Sequence, residues 1–114
     1  EALGADNYRK LIEELILSQV HMSTYGIPLT GHFINCRGSL INWCPIGRNA
    51  NDEERALFKD LDEKEGIREK VLDELKAMLD QKELLNKFTK KNYHLLLVIQ
   101  NQKVCIYIYL HKNP

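Results

Sequence analysis

Tyr8, Leu11, Ile12, Leu15 and Ile16 recur at helical spacing, with Arg9, Lys10, Glu13 and Glu14 between them. Residues three and four apart share one helix face, so the pattern predicts an amphipathic helix of about four turns. Gly26 and Pro28 should stop it. Two short apolar runs follow, Gly31–Cys36 and Leu40–Cys44, and Arg37-Gly38-Ser39 between them reads as a hairpin turn. Pro45-Ile46-Gly47 ends the second strand. Asn51 then has the character of an N-cap, with Glu54 three residues on, a variant of the capping box. The short helix opening at Asp52 should bury Leu57, Phe58 and Leu61. Gly66 breaks that pattern, and a second helix with Ile67, Val71, Leu75, Met78 and Leu79 on one face runs to about Asp80. The lysine-rich stretch up to Lys91 has no clear period.

The tail changes character. Tyr93–Ile99 and Val104–Leu110 are dense in aliphatic, β-branched and aromatic residues, the composition of strands, with Asn101-Gln102 as a hairpin turn between them. The element order is helix, two strands, two helices, two strands, without internal repeats or low-complexity segments. It predicts the α+β class: an antiparallel four-stranded sheet with helices packed on one face.

Composition narrows the function classes. A chain of 114 residues suits one domain. Lys plus Arg equals Asp plus Glu at 16 each, which argues against a general nucleic-acid binder. No apolar run reaches the ~18 residues needed to span a bilayer, so no membrane partner is expected. Cys36, Cys44 and Cys105 form no C-x-x-C pair, and an odd cysteine count without a signal peptide fits a reducing, cytoplasmic setting. The first residue is Glu1, as expected of a fragment or a processed product.

Three arginines are the candidates for chemistry. Arg37 sits at the hairpin turn, Arg48 follows Pro45-Ile46-Gly47, and Arg55 falls near the first turn of the capped helix. A planar guanidinium suits bidentate capture of phosphate, and three on adjacent loops can hold a small dianion. On spacing alone, three solvated surface arginines are the plainer description of the pattern, since surface arginines are common. Asp60-Leu61-Asp62 resembles a D-x-D nucleophile motif but lies in a charged helical run, so a solvated face is expected. His21, His32, His94 and His111 share no metal-like spacing. Cys36 and Cys44 can approach across the hairpin or stand as two buried thiols. Trp43, Tyr107 and Tyr109 read as core or interface residues.

The run from Cys44 to Arg55, CPIGRNANDEER, resembles the eukaryotic phosphomannomutase segment S-P-I-G-R-(S/N)-x-(S)-x-E-E-R. Gly31–Arg37, GHFINCR, is similar to that family's G-T-F-I-E-F-R, with the same distance from Arg37 to Arg48. Phe58–Arg68, FKDLDEKEGIR, resembles F-x-x-x-D-K-K-x-x-I-R. The resemblance covers residues 1–80. It implies a haloacid dehalogenase-type cap domain there, with 81–114 a divergent segment able to complete the cap sheet. It also implies a part in interconverting mannose 6-phosphate and mannose 1-phosphate for GDP-mannose synthesis, with Arg37, Arg48 and Arg55 holding the distal phosphate. The implied partners are a mannose phosphate or hexose bisphosphate and a second copy, as a homodimer through the cap.

In the family the nucleophilic aspartate and Mg2+ belong to a core domain flanking the cap. Neither the nucleophile motif nor the magnesium-binding loops occur in these 114 residues. The isolated chain is therefore expected to be inactive, without catalytic residues, metal or cofactor of its own. The alternative is a truncated, non-catalytic interaction or dimerisation module. Nothing from Tyr93 onward matches the family's S-F-D-V segment, as expected of a mis-spliced or divergent end. Asn35 and Ser39 replace the Glu and Gly of the family hairpin.

Overall fold

The computed structural model describes residues 4–99 and 104–112. The first periodic stretch forms α1, Ala5–Met22, which continues as a 3-10 turn to Tyr25 and ends at Gly26 in the left-handed conformation, φ 73°. The hairpin pairs β1, Ile34–Arg37, with β2, Leu40–Trp43. Asn51 caps α2, Asp52–Glu65: Glu54 N–H donates to Asn51 Oδ1 at 2.8 Å, and Asn51 N–H donates to Glu54 Oε1 at 2.9 Å. Two orphan amides of the helix end are thereby satisfied reciprocally. Gly66 ends α2 at φ 62° and opens α3, Ile67–Gln81. A short α4, Leu84–Lys90, precedes β3, Tyr93–Ile99, and β4, Ile106–Lys112.

The sheet order is β1-β2-β4-β3, with every neighbouring pair antiparallel. The chain leaves the sheet after β2, passes through three helices, returns as the far edge β3, and fills the centre with β4. The last strand of the sequence is therefore internal to the sheet. The expected α+β architecture is what forms, and alternation along the strands sorts the two faces. Ile41, Trp43, Ile106, Ile108 and Leu110 face the helices and join Leu11, Leu15, Phe58, Val71, Leu75, Leu79 and Phe88 in one buried core. The other face carries Asn35, Arg37, Leu40, Asn42, Leu96, Tyr107, Tyr109 and His111.

Several expectations shift at residue level. α1 buries Leu11 and Leu15, but Ile16 is 51% exposed, because the buried stripe continues through Gln19 and Met22 instead. Gln19 is polar yet belongs to the core: its Nε2 donates to the Pro45 carbonyl at 2.8 Å, and its Oε1 accepts from Trp43 Nε1 at 2.7 Å. Trp43 is thus a core residue. Leu57 and Met78 lie on the solvent side of α2 and α3, at the edge of their helices' buried arcs. α4 was not foreseen, since seven residues with only Leu84 and Phe88 buried give too few repeats for a period. The Asn101-Gln102 turn lies outside the described residues.

Asp62 corrects the solvated-face reading. Asp60 does pair with the exposed Lys64. Asp62 instead accepts from the backbone N–H and from Nε of Arg68, both at 2.8 Å, and the two side chains are almost wholly buried. The pair holds the α2–α3 corner, and Arg68 Nη1 reaches on to the Cys105 carbonyl at 3.3 Å. On the other side of the helix layer, Lys82 at the end of α3 pairs with the buried Glu14 of α1.

Candidate functional site

The three candidate arginines are placed by three different devices. Arg37 ends β1 and stands opposite Leu40 across the hairpin. The period of two puts it on the helix-free face together with Asn35. Asn35 in turn stands opposite Asn42, and Asn42 opposite Tyr107. Asn35, Asn42 and Tyr107 therefore form one row across three strands.

Arg48 is held by a loop with little freedom. Gly47 has φ 96°, a conformation side chains rarely adopt, and a Cβ there would fall 1.9 Å from Thr30 Oγ1. The same Thr30 hydroxyl lies 2.8 Å from the Ile46 carbonyl and 2.6 Å from Asn49 Oδ1, while Asn49 Nδ2 donates to the Thr30 carbonyl at 2.9 Å. Arg48 N–H donates to the His32 carbonyl at 2.7 Å. The loop is thus clamped to residues 30–33 on both sides of Arg48.

Arg55 sits at the start of α2, where the helix dipole disfavours a cation and Asp52, Glu53 and Glu54 offset it. Its guanidinium turns back rather than outward: Nε donates to the Ala50 carbonyl at 3.0 Å and Nη2 to the Arg48 carbonyl at 2.8 Å. Among the described residues Nη1 makes no hydrogen bond. Arg55 therefore ties the capped helix to the Arg48 loop.

Arg37 and Arg48 converge. The Asn35 carboxamide lies against both, and with its oxygen assigned to the side where these donors stand it accepts from Arg37 Nε at 3.1 Å and from Nη1 of Arg48. Among the described residues no carboxylate pairs with Arg37, Arg48 or Arg55. Two guanidiniums meeting at one neutral acceptor without a counter-ion favour an anion between them. Asn42 Oδ1, next in the same row, is buried without a hydrogen-bond partner. A buried acceptor left unmade costs about 1–3 kcal/mol, so this atom stands ready for a donor. Burial raises the Tyr107 phenol above its ordinary value.

Sequence reasoning singled out the three arginines as candidates, but neither Asn42 nor Asn35 as the acceptor common to Arg37 and Arg48. The available signal was an asparagine in the middle of an otherwise apolar strand, where that residue is depleted. Cys36 and Cys44 do not meet: Cys36 is exposed and stands opposite Ile41, whereas Cys44 is buried and its thiol contacts Cys105. His94, His111 and Tyr109 stack in succession across β3 and β4, with ring centroids 5.1 and 5.8 Å apart. Among the described residues no three His, Cys, Asp or Glu side chains gather as a metal-ion site, and no helix is long and apolar enough to cross a membrane.

The family model for eukaryotic phosphomannomutase matches residues 1–92. A probable phosphomannomutase of Caenorhabditis elegans is 37% identical over 73 residues, which is 63% of this chain and 29% of that protein. The phosphomannomutase of Encephalitozoon cuniculi is 38% identical over 73 residues, 63% of this chain and 27% of its own length. Human phosphomannomutase 1 is 49% identical over 47 residues, 41% of this chain and 18% of its own length. The matched stretch thus spans less than a third of each of these relatives.

Proposed function

The chain belongs to the eukaryotic phosphomannomutase family, and from that premise we propose that residues 1–80 are the cap of such an enzyme, with 81–114 completing its sheet. In this reading Arg37 and Arg48 grip the distal phosphate of a mannose phosphate or hexose bisphosphate, and Arg55 holds the loop that carries Arg48. The observation that carries it is the convergence of Arg37 and Arg48 on Asn35 with no carboxylate to neutralise them.

The division of labour follows from the chemistry of a mutase. A sugar bisphosphate intermediate must present either phosphate to the reacting centre, so the other phosphate needs a site that binds without reacting. Arginine supplies this, because it stays cationic and is not a nucleophile. The Asn42 carboxamide oxygen, orphaned beside the arginines, accepts from a sugar hydroxyl. Closure of this face over a catalytic core would exclude water from the reacting phosphate. The nucleophile, the magnesium ion and the haloacid dehalogenase chemistry belong to that core. The described residues offer no cluster that fits the metal. In this reading the chain alone binds sugar phosphate without turning it over, as part of the cytoplasmic supply of GDP-mannose.

Isothermal calorimetry with mannose 1-phosphate tests the reading. Saturable binding that falls about tenfold or more in Arg48→Ala is expected, since one hydrogen bond to a charged group contributes roughly 1.5–3 kcal/mol. Equal affinity in the variant refutes it.

A second reading, a module that dimerises without catalysis, is favoured by Ile16, Leu17 and Val20. These are 51%, 57% and 64% exposed along α1, and Ile16 and Val20 adjoin Phe33 and Ile34. Sedimentation of the chain and of Val20→Glu tests it: a dimer that the variant splits supports dimerisation through α1, and a monomer in both excludes it.

A further inference from the structure

Two of the three cysteines meet in a way the arginine site does not use. β2 and β4 are aligned from Leu40 opposite Tyr109 to Trp43 opposite Ile106, so Cys44 and Cys105 are the next residue of each strand, and the same register carried one step further would oppose them. Leu110 N–H donates to the Ser39 carbonyl at 2.8 Å, which makes that opposed pair a hydrogen-bonded one. Opposed pairs alternate in type along an antiparallel ladder, so Cys44 and Cys105 form a non-hydrogen-bonded pair. Cys44 N–H agrees, pointing away to the Phe33 carbonyl at 2.7 Å. Such pairs bring Cα atoms to about 4.5 Å, with the side chains at their closest. That spacing lies within the range of about 4.4–6.8 Å that a disulfide spans.

The surroundings favour reaction over inert burial. The two thiols are near enough that each shifts the other's ionisation. The contact with Cys44, with Arg55, Arg48 and Arg68 nearby, lowers Cys105 to about 7, while the same contact and burial push Cys44 up. Cys44 is fully buried and Cys105 is 8% exposed, so a small oxidant meets Cys105 first. An electropositive setting of this kind is where thiolates react. Neither cysteine follows from the family resemblance: the family motif has serine at the position of Cys44, and Cys105 lies beyond the matched residues 1–92.

We propose that Cys44 and Cys105 are a redox-active pair that hydrogen peroxide converts to a disulfide, stapling the end of β2 to the start of β4 beside the arginine cluster. The Cys105 thiolate attacks a peroxide oxygen; the O–O bond breaks, and the departing oxygen leaves as water after taking up a proton. Cys105 is now a sulfenic acid. Cys44 sulfur attacks that sulfur; the S–S bond forms, the S–O bond breaks, and the Cys44 proton leaves with the hydroxide as a second water. One peroxide is reduced and two thiols are oxidised. The exposed Cys36 stands apart, opposite Ile41. The proposal is independent of what the arginines bind.

The test treats the full chain at neutral pH with hydrogen peroxide, alkylates the remaining thiols, and maps the digest by mass spectrometry. Before alkylation the chain should be two hydrogens lighter; after it, the Cys44 and Cys105 peptides should be joined and Cys36 alkylated, with the Cys44 and Cys105 thiols restored by dithiothreitol. Cys36→Ser should give the same yield of the joined product. Oxidation in denaturant should lower that yield severalfold, because the strand register no longer opposes the two residues. Recovery of Cys44 and Cys105 as alkylated thiols would overturn the proposal. So would Cys105 as a sulfinic acid, a link through Cys36, or an undiminished yield in denaturant.

Discussion

At the scale of single residues, positions fixed by close contact should respond sharply to small changes. Gly47→Ala forces a Cβ into Thr30 and keeps a residue at positive φ, where strain costs of order 1–3 kcal/mol. Thermal unfolding should show a lower midpoint, and because Arg48 is the next residue, sugar-phosphate binding should weaken as well. An unchanged midpoint would mean that the clamp on Thr30 is not formed. Asp62→Ala removes the carboxylate that Arg68 donates to twice inside the fold, and breaking such a buried pair costs about 3–5 kcal/mol. Urea unfolding should reveal that loss, in contrast to Asp60→Ala at the exposed pair with Lys64, which should change stability by less than about 1 kcal/mol. The contrast between these two aspartates shows what periodicity cannot supply. Both lie in the same charged run, and only the tertiary position of Arg68 decides which one is buried.

At the scale of elements, the sequence conveyed what is local. The box at Asn51 and Glu54, the glycine stop at Gly66 and the turn after Arg37 each depend on residues within a few positions, and all three form. Asn51→Ala should cost about 1 kcal/mol, read as a lower urea midpoint with an unchanged slope. No loss in that variant would show that the two cap hydrogen bonds contribute nothing in solution. What stayed hidden depends on contacts distant in sequence. Gln19 bonds to Trp43 and Pro45 across 24 and 26 residues, so its place in a buried stripe left no trace in the helical period. The row of Asn35, Asn42 and Tyr107 exists only once β4 lies beside β2. The arginines stood out by their placement and by a motif resemblance; the convergence of Arg37 and Arg48 on Asn35 did not, since it needs the hairpin and the Gly47 loop folded against each other.

At the scale of the whole molecule, the sheet joins the two ends of the sequence. β4 pairs with β2 on one side and β3 on the other, and Ile106, Ile108 and Leu110 lie in the core. Ile108→Ala should therefore cost about 2–5 kcal/mol even though it lies outside the matched residues 1–92. A near-neutral effect would mean that residues 1–92 fold without their last strand. The site has the same dependence, because Tyr107 and Cys105 of the tail flank Asn42 and Cys44 of the hairpin. The central claim is that Arg37 and Arg48 together hold a phosphate. Two-dimensional NMR of the arginine Nε–H groups during titration with mannose 1-phosphate reads this most directly. The account predicts saturable shifts of Arg37 and Arg48 with one shared dissociation constant, while the remote, exposed Arg9 stays still. Shifts that never saturate, or that spare both Arg37 and Arg48, would contradict it.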